Sequence, residues 1–190
     1  MKVAILVIFY GYLGTCFLCA LFRFCKEIIG TKGFKISPYI STNKLILNMI
    51  IEYIQRHYKT NEKIRIIDIG SGCGKIMFII NKRIKNVELV GYEIDKFYYS
   101  IAKLKNKWKN ISFYNDDIKN LEDFNFDIVL TFLFEKQQRE LIPLYKKFPS
   151  GTLIISNTFK ISFGSEDGFI LQDVIKNRFL QKNIYIYKKL

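Results

Sequence analysis

The stretch Ile66-Ile67-Asp68-Ile69-Gly70-Ser71-Gly72-Cys73-Gly74 decides the fold. A strand-like run passes into three glycines spaced two apart, and a helical pattern covers Gly74 to Arg83 directly after it. A glycine-rich turn between the carboxyl end of a strand and the start of a helix is where open α/β sheets bind nucleotides. Glycine serves there because the chain must turn sharply and let a ligand approach closer than a Cβ permits. The spacing selects the ligand. A dinucleotide site reads G-x-G-x-x-G and rests a pyrophosphate on the helix N-terminus, but Lys75 stands where the third glycine belongs. The order here is G-x-G-x-G, with Asp68 two residues ahead. S-adenosylmethionine (SAM) carries no phosphate; it needs a carboxylate near its ammonium group and room for its methionine and ribose, which Asp68, Gly70, Gly72 and Gly74 offer.

Two further acids stand at the ends of the following strands. Glu93 closes Gly91-Tyr92-Glu93-Ile94-Asp95, at about the interval where nucleotide-binding α/β domains hold a ribose with a carboxylate. Its oxygens can accept from both ribose hydroxyls. Asp117 follows the third strand in Phe113-Tyr114-Asn115-Asp116-Asp117, where it can accept from the adenine amino group. Isolated acids after strands usually cap helices, and Glu93 and Asp117 also read that way, with Asp116 solvated. Three acids at consecutive strand ends, in order, favour SAM.

From Ile40 onward helix and strand alternate, which argues for a parallel sheet with helices on its faces. Ser41 or Thr42 is placed to cap a helix whose apolar positions Ile46, Met49, Ile50, Tyr53 and Ile54 recur at three- and four-residue intervals. Strands are expected over 63–69, 87–93, 111–114, 127–132 and 152–157, and helices over 96–107 and 136–147. In the tail, 169–176 reads as strand or short helix and 184–188 as a last strand.

A chain of 190 residues, 49% hydrophobic, suffices for one sizeable core. The formal charge of +13 would ordinarily point to nucleic acid or an anionic membrane surface. The lysines, however, accompany a composition rich in Ile and Asn and poor in Ala and Pro, and no Arg-rich cluster stands out. The charge therefore reads as a solvated surface, with no nucleic-acid partner expected and attraction to a membrane surface as the second reading. Of the cysteines only Cys73 falls in the domain, since Cys16, Cys19 and Cys25 belong to or directly follow the N-terminal apolar segment. A lone His57 and a lone Cys73 do not make a tetrahedral zinc set, so no metal is expected; His57 reads as an ordinary helix residue.

Val3 to Phe22 run for twenty positions without a charge, which at about 1.5 Å per residue is about the thickness of a bilayer's hydrocarbon core. The segment reads as a transmembrane anchor (residues 1–26) ahead of a catalytic-size domain (residues 37–190). A cleaved signal peptide would have a shorter apolar core and a stronger basic start than Lys2. Arg23, Lys26, Lys32 and Lys35 follow it, and by the positive-inside rule they place the domain on the cytosolic side of a single-pass protein.

Several motifs occur together: one N-terminal apolar helix, Ser37-Pro38-Tyr39-Ile40-Ser41-Thr42 leading into a helix, Ile67-Asp68-Ile69-Gly70-Ser71-Gly72, Gly91-Tyr92-Glu93, and Phe113-Tyr114 before Asp117. In these the chain resembles the class I, seven-stranded SAM-dependent methyltransferases. Within that family it is similar to the small membrane-anchored lysine methyltransferases acting on the ATP synthase c-subunit and on the mitochondrial adenine nucleotide translocase. The resemblance implies an α/β, Rossmann-like seven-stranded domain preceded by one transmembrane helix, SAM as cofactor, and a lysine of a membrane protein as acceptor. SAM would be held by Asp68, Gly70, Gly72, Gly74, Glu93 and Asp117. Cys73 departs from the acid or small polar residue common in the family, and Ser41 stands where a second proline is typical. No catalytic residue is indicated. A lysine that enters as the neutral amine needs no general base if its pocket is apolar, and Phe132 and Phe134 after the fourth strand could wall such a pocket or simply fill the core. A lipid or other small-molecule acceptor at the membrane, or a non-catalytic anchored scaffold, are the alternatives, and the sequence leaves oligomeric state open.

Overall fold

A computed structural model describes residues 40–58 and 62–190. The expected transmembrane segment, the basic stretch that follows it and the Pro38-Tyr39 pair lie outside the described residues. Among those described, no helix is long and apolar enough to cross a membrane.

Helix α1 (Lys44–His57) leads into β1 (Ile64–Ile69), α2 (Lys75–Arg83), β2 (Val87–Tyr92), α3 (Lys96–Lys105), β3 (Ile111–Tyr114) and β4 (Ile128–Thr131). Two short helices, α4 (Glu135–Glu140) and α5 (Ile142–Tyr145), then precede β5 (Leu153–Asn157), β6 (Phe169–Asn177) and β7 (Lys182–Lys189). The strands form one seven-stranded sheet in the order β3-β2-β1-β4-β5-β7-β6. The first five are parallel, while β7 runs antiparallel to both β5 and β6. Central strands such as Ile64–Ile69 and Leu153–Asn157 are buried along nearly their whole length, as a sheet covered on both faces requires.

Side chains alternate between the two faces. Ile64 and Ile66 of β1 join Leu89, Ile128 and Leu130 beneath Ile46, Ile50 and Ile54 of α1 and Met77 and Ile80 of α2. Ile67, Ile69 and Val129 pack on the other face against Leu141, Leu144, Tyr145 and Phe148. Asp68 falls by this alternation on the α1–α2 face, where it is buried. Gly91 of β2 lies on the same face. A Cβ built there would stand 2.7 Å from Met77 Sδ, 2.8 Å from Ser71 Oγ and 2.9 Å from Phe113 Cδ1. The Gly91-Tyr92-Glu93 motif thus has a packing cause, because α2 and the glycine turn sit directly on β2. We predict that Gly91→Val destabilises the domain by about 1 to 3 kcal/mol, the scale of overpacking a filled core. A denaturant midpoint equal to the parent's would show that the neighbours yield freely.

Two local expectations are corrected. Asn43, rather than Ser41 or Thr42, caps α1, its side-chain oxygen accepting from the Leu45 N–H at 2.8 Å. Ser41 Oγ and the Thr42 carbonyl instead accept from Lys75 Nζ at 2.9 and 2.8 Å, which ties the segment ahead of α1 to the glycine turn. The single helix expected over 136–147 is two, because Pro143 has no N–H to continue the ladder and its ring opposes the preceding turn. In the tail, 169–176 is strand, with an irregular register between Leu171 and Asp173. His57 behaves as an ordinary helix residue: its Nδ1–H donates to the Tyr53 carbonyl at 2.9 Å and its ring stacks on Tyr53.

Candidate functional site

The carboxyl ends of β1, β2, β3 and β4 lie side by side, with Ile69 opposite both Tyr92 and Thr131, and Tyr92 opposite Tyr114. Beyond β1, Gly70, Gly72 and Gly74 have φ of +80°, +54° and +74°. The alternating glycines are therefore a conformational requirement, since side-chain-bearing residues rarely occupy this left-handed region. The turn is fastened to β2 by the Gly70 and Ser71 N–H groups, which both donate to the Tyr92 carbonyl at 3.0 and 2.9 Å. Gly74 also packs tightly, for a Cβ there would lie 2.5 Å from Phe113 Cζ. What the turn presents is backbone, the surface on which a large ligand can lie closely.

Glu93 is the second fastening. Its Oε2 accepts from the Gly72 N–H at 2.8 Å and its Oε1 from the Asp95 N–H at 2.8 Å, while its side chain is buried. The capping alternative does not hold for Glu93, because α3 is capped by Asp95, whose Oδ1 accepts from the Phe97 N–H at 2.9 Å. Carboxylate oxygens that accept from backbone N–H groups can also accept from hydroxyl donors. Asp68 lies close enough to feel that charge. Burial, and then the like charge of Glu93, push its carboxyl up to about 7. An acid held in this state favours a cationic group arriving beside it, since a positive charge offsets both effects. A sulfonium compound with an ammonium group fits this donor set. Among the described residues the buried Ser71 hydroxyl of the same turn has no hydrogen-bond partner.

The end of β3 is joined to the end of β2. The Glu93 N–H donates to the Tyr114 carbonyl at 3.0 Å, and Asn115 Nδ2 donates to the Glu93 and Ile94 carbonyls at 2.8 and 3.1 Å. Asp117 is half-buried and caps the 3-10 turn Ile118–Asn120, its Oδ1 accepting from the Lys119 N–H at 3.0 Å. Asp116 is exposed but structured, accepting through Oδ1 from the Asp117 N–H and from Asn120 Nδ2. Asp68, the three glycines and Glu93 are thus brought together around one turn, and Asp117 stands at the adjoining strand end with a capping bond of its own.

Sequence reading missed the residue that organises the ends of β4 and β5. Gln138 is fully buried on a helix otherwise facing solvent. Its Nε2 donates to Thr131 Oγ1, the Leu133 carbonyl and Ser156 Oγ at 3.2, 3.3 and 3.1 Å. Tyr145 OH donates to its Oε1 at 2.6 Å, and Ser156 Oγ–H donates onward to the Phe159 carbonyl at 2.6 Å. One amide thereby holds the loops that carry Phe132, Phe134 and Phe159. Those rings pack together, with centroids 6.0 Å apart for Phe132–Phe159 and 5.0 Å for Phe134–Phe159. Phe132, Phe134 and Phe159 thus form a three-ring cluster at this edge. The signal available in the sequence was a glutamine at a core-facing helical position, which polarity alone hides.

Residues 60–175 match the family model described as a methyltransferase domain. Over 94 residues the chain is 22% identical to a malonyl-[acyl-carrier protein] O-methyltransferase of Bacillus anthracis, covering 49% of this chain and 35% of that protein. It is 24% identical over 123 residues to a release factor glutamine methyltransferase of Fusobacterium nucleatum, covering 60% and 35%. The chain thus spans about a third of the length of the curated relatives it matches. Among solved structures, an RNA methyltransferase from Salinibacter ruber in complex with S-adenosyl-L-homocysteine superposes with a TM-score of 0.68 at 18% identity, over 78% of this chain and 93% of that one.

Proposed function

This chain belongs to the class I SAM-dependent methyltransferases, with SAM as its cofactor, and we propose that it transfers the methyl group of SAM to a lysine side chain of a membrane protein. The observation that carries methyl transfer is the union of a backbone-lined G-x-G-x-G turn with the buried acids Asp68 and Glu93. In this reading Asp68 faces the ammonium group, Glu93 the ribose hydroxyls and Asp117 the adenine amino group, while Gly70, Gly72 and Gly74 give the molecule room.

Bound SAM supplies an electrophilic methyl on a sulfonium leaving group. The protein's work is then alignment and exclusion of water. A neutral acceptor nitrogen would take that methyl group with its lone pair and shed its proton to solvent, and SAM would leave as the neutral thioether. Phe132, Phe134 and Phe159, held by Gln138, favour the neutral amine by making the entrance apolar.

The membrane acceptor rests on the uncharged run Val3 to Phe22 and on the family resemblance. A tether confines the active site within the reach of the 23–37 linker, at most about 3.3 to 3.6 Å per residue, and raises the effective concentration of membrane-bound acceptors to about the millimolar range. Radiolabelled SAM added to membranes containing the enzyme is the test. Label in one or a few membrane-protein lysines, located by mass spectrometry, is expected. Label in lipid extract, small molecules or RNA overturns the lysine acceptor, and absence of label overturns methyl transfer.

A further inference from the structure

The outward face of α3 carries exposed apolar side chains between lysines. Along Lys96–Lys105, Phe97, Ile101 and Leu104 recur at four and three residues and so form one stripe. The opposite side, with Tyr99 and Ala102, packs on the core. Leu104 is 89% exposed, Phe97 48%, and Ile94 just ahead of the helix 47%. Lys96 and Lys103 flank the stripe on one side and Lys105 on the other, with Lys107 and Lys109 immediately beyond, all exposed. From residue 96 to 115 the sequence has five lysines and no Asp, Glu or Arg.

We propose that this face of α3 is a docking surface for anionic lipid headgroups, holding the domain flat on the bilayer. An outward apolar stripe with lysines on both flanks is the arrangement of helices that lie in a membrane interface, where apolar side chains enter the headgroup layer and ammonium groups meet phosphates. Nucleic acid is the less fitting partner: the most extruded side chain is aliphatic, and the arginines that grip phosphate bidentately are absent. The surface goes beyond the proposed acceptor and does not depend on its identity.

Trp108, the chain's single tryptophan, follows the helix, packs against the core beside Phe78 and has Lys107 over its ring, so it is an intrinsic fluorophore at the end of this helix. The full chain is reconstituted into vesicles of phosphatidylcholine with brominated acyl chains, with or without phosphatidylglycerol. Trp108 emission is expected to be quenched in the anionic vesicles and recovered in high salt, which screens exposed charge. Leu104→Asp, Leu104→Ser and the pair Lys103→Gln with Lys105→Gln are each expected to weaken docking by about an order of magnitude. SAM affinity, measured on every variant, stays at the parent value. Quenching that is absent, indifferent to lipid charge or unchanged in these variants overturns the proposal. So does binding of an RNA oligonucleotide that the same substitutions remove while lipid quenching never occurs. Label found on something other than lysine would instead remove the acceptor assignment and leave the docking result intact.

Discussion

Glu93→Ala is expected to raise the dissociation constant for SAM by about two orders of magnitude while leaving the sheet folded. Two contributions add. The first is the loss of the acceptor proposed for the ribose hydroxyls, on the scale of about 1.5 to 3 kcal/mol for hydrogen bonds to a charged group. The second arises inside the empty protein, where the Gly72 and Asp95 N–H groups lose their acceptor and the glycine turn loses its tie to the end of β2. Glu93→Gln separates them, since its amide oxygen can still take one N–H. Calorimetry should place the glutamine variant between parent and alanine. Parent-like affinity in the alanine variant would remove Glu93 from SAM binding, both as an acceptor for the ribose and through the glycine turn.

Asp68→Asn should move stability and affinity in opposite directions. In the folded protein the Asp68 carboxyl is pushed up to about 7, against about 4 in an unfolded chain. The folded state therefore binds the extra proton between those values. Its contribution to stability is fully present below about pH 4 and is lost as pH rises through about 7. At pH 8 the empty parent carries a buried charge that asparagine lacks, and the variant should be more stable there by about 1 to 3 kcal/mol. SAM binding has the reverse demand, because a cationic ligand favours the ionised acid. Affinity of the parent should climb by up to about tenfold per pH unit as pH rises toward 7, the slope of one linked proton. The variant should bind about a hundredfold more weakly, on the scale of a charged hydrogen bond, and without that slope. Parallel pH profiles of affinity for the two proteins would remove Asp68 from the cofactor's charge balance.

What was legible in the sequence had a local cause. The turn at Gly70, Gly72 and Gly74 could be read because only one residue type adopts such backbone readily, and the strands because their apolar runs meet a sheet buried on both faces. The seven-stranded architecture came with the family resemblance. Other features depended on partners distant in sequence. Nothing near Gly91 announces that Met77, Ser71 and Phe113 all crowd it. Gln138 reads as one more polar residue until the fold buries it against Thr131, Ser156 and Tyr145. Pro143 is a helix breaker visible in the sequence itself, and the Asn43 cap lies one residue beyond Ser41 and Thr42. Asp117 keeps both its meanings, for a cap of Ile118–Asn120 and an acceptor at a strand end need the same carboxylate in the same place.

The place of β7 has a consequence for how the molecule is assembled. Strand β6 precedes β7 in sequence yet reaches the sheet only through it, with Ile184 and Ile186 of β7 fully buried between β5 and the edge. While residues up to β6 have left the ribosome and β7 has not, β5 is an open edge with unpaired backbone groups and β6 has nowhere to bind. An unpaired edge of this kind is a template for association with other chains. The cofactor edge, built from β1 to β4, is complete before that interval begins. SAM present during synthesis could therefore bind the nascent domain and hold its older half in register while the hairpin closes the exposed flank.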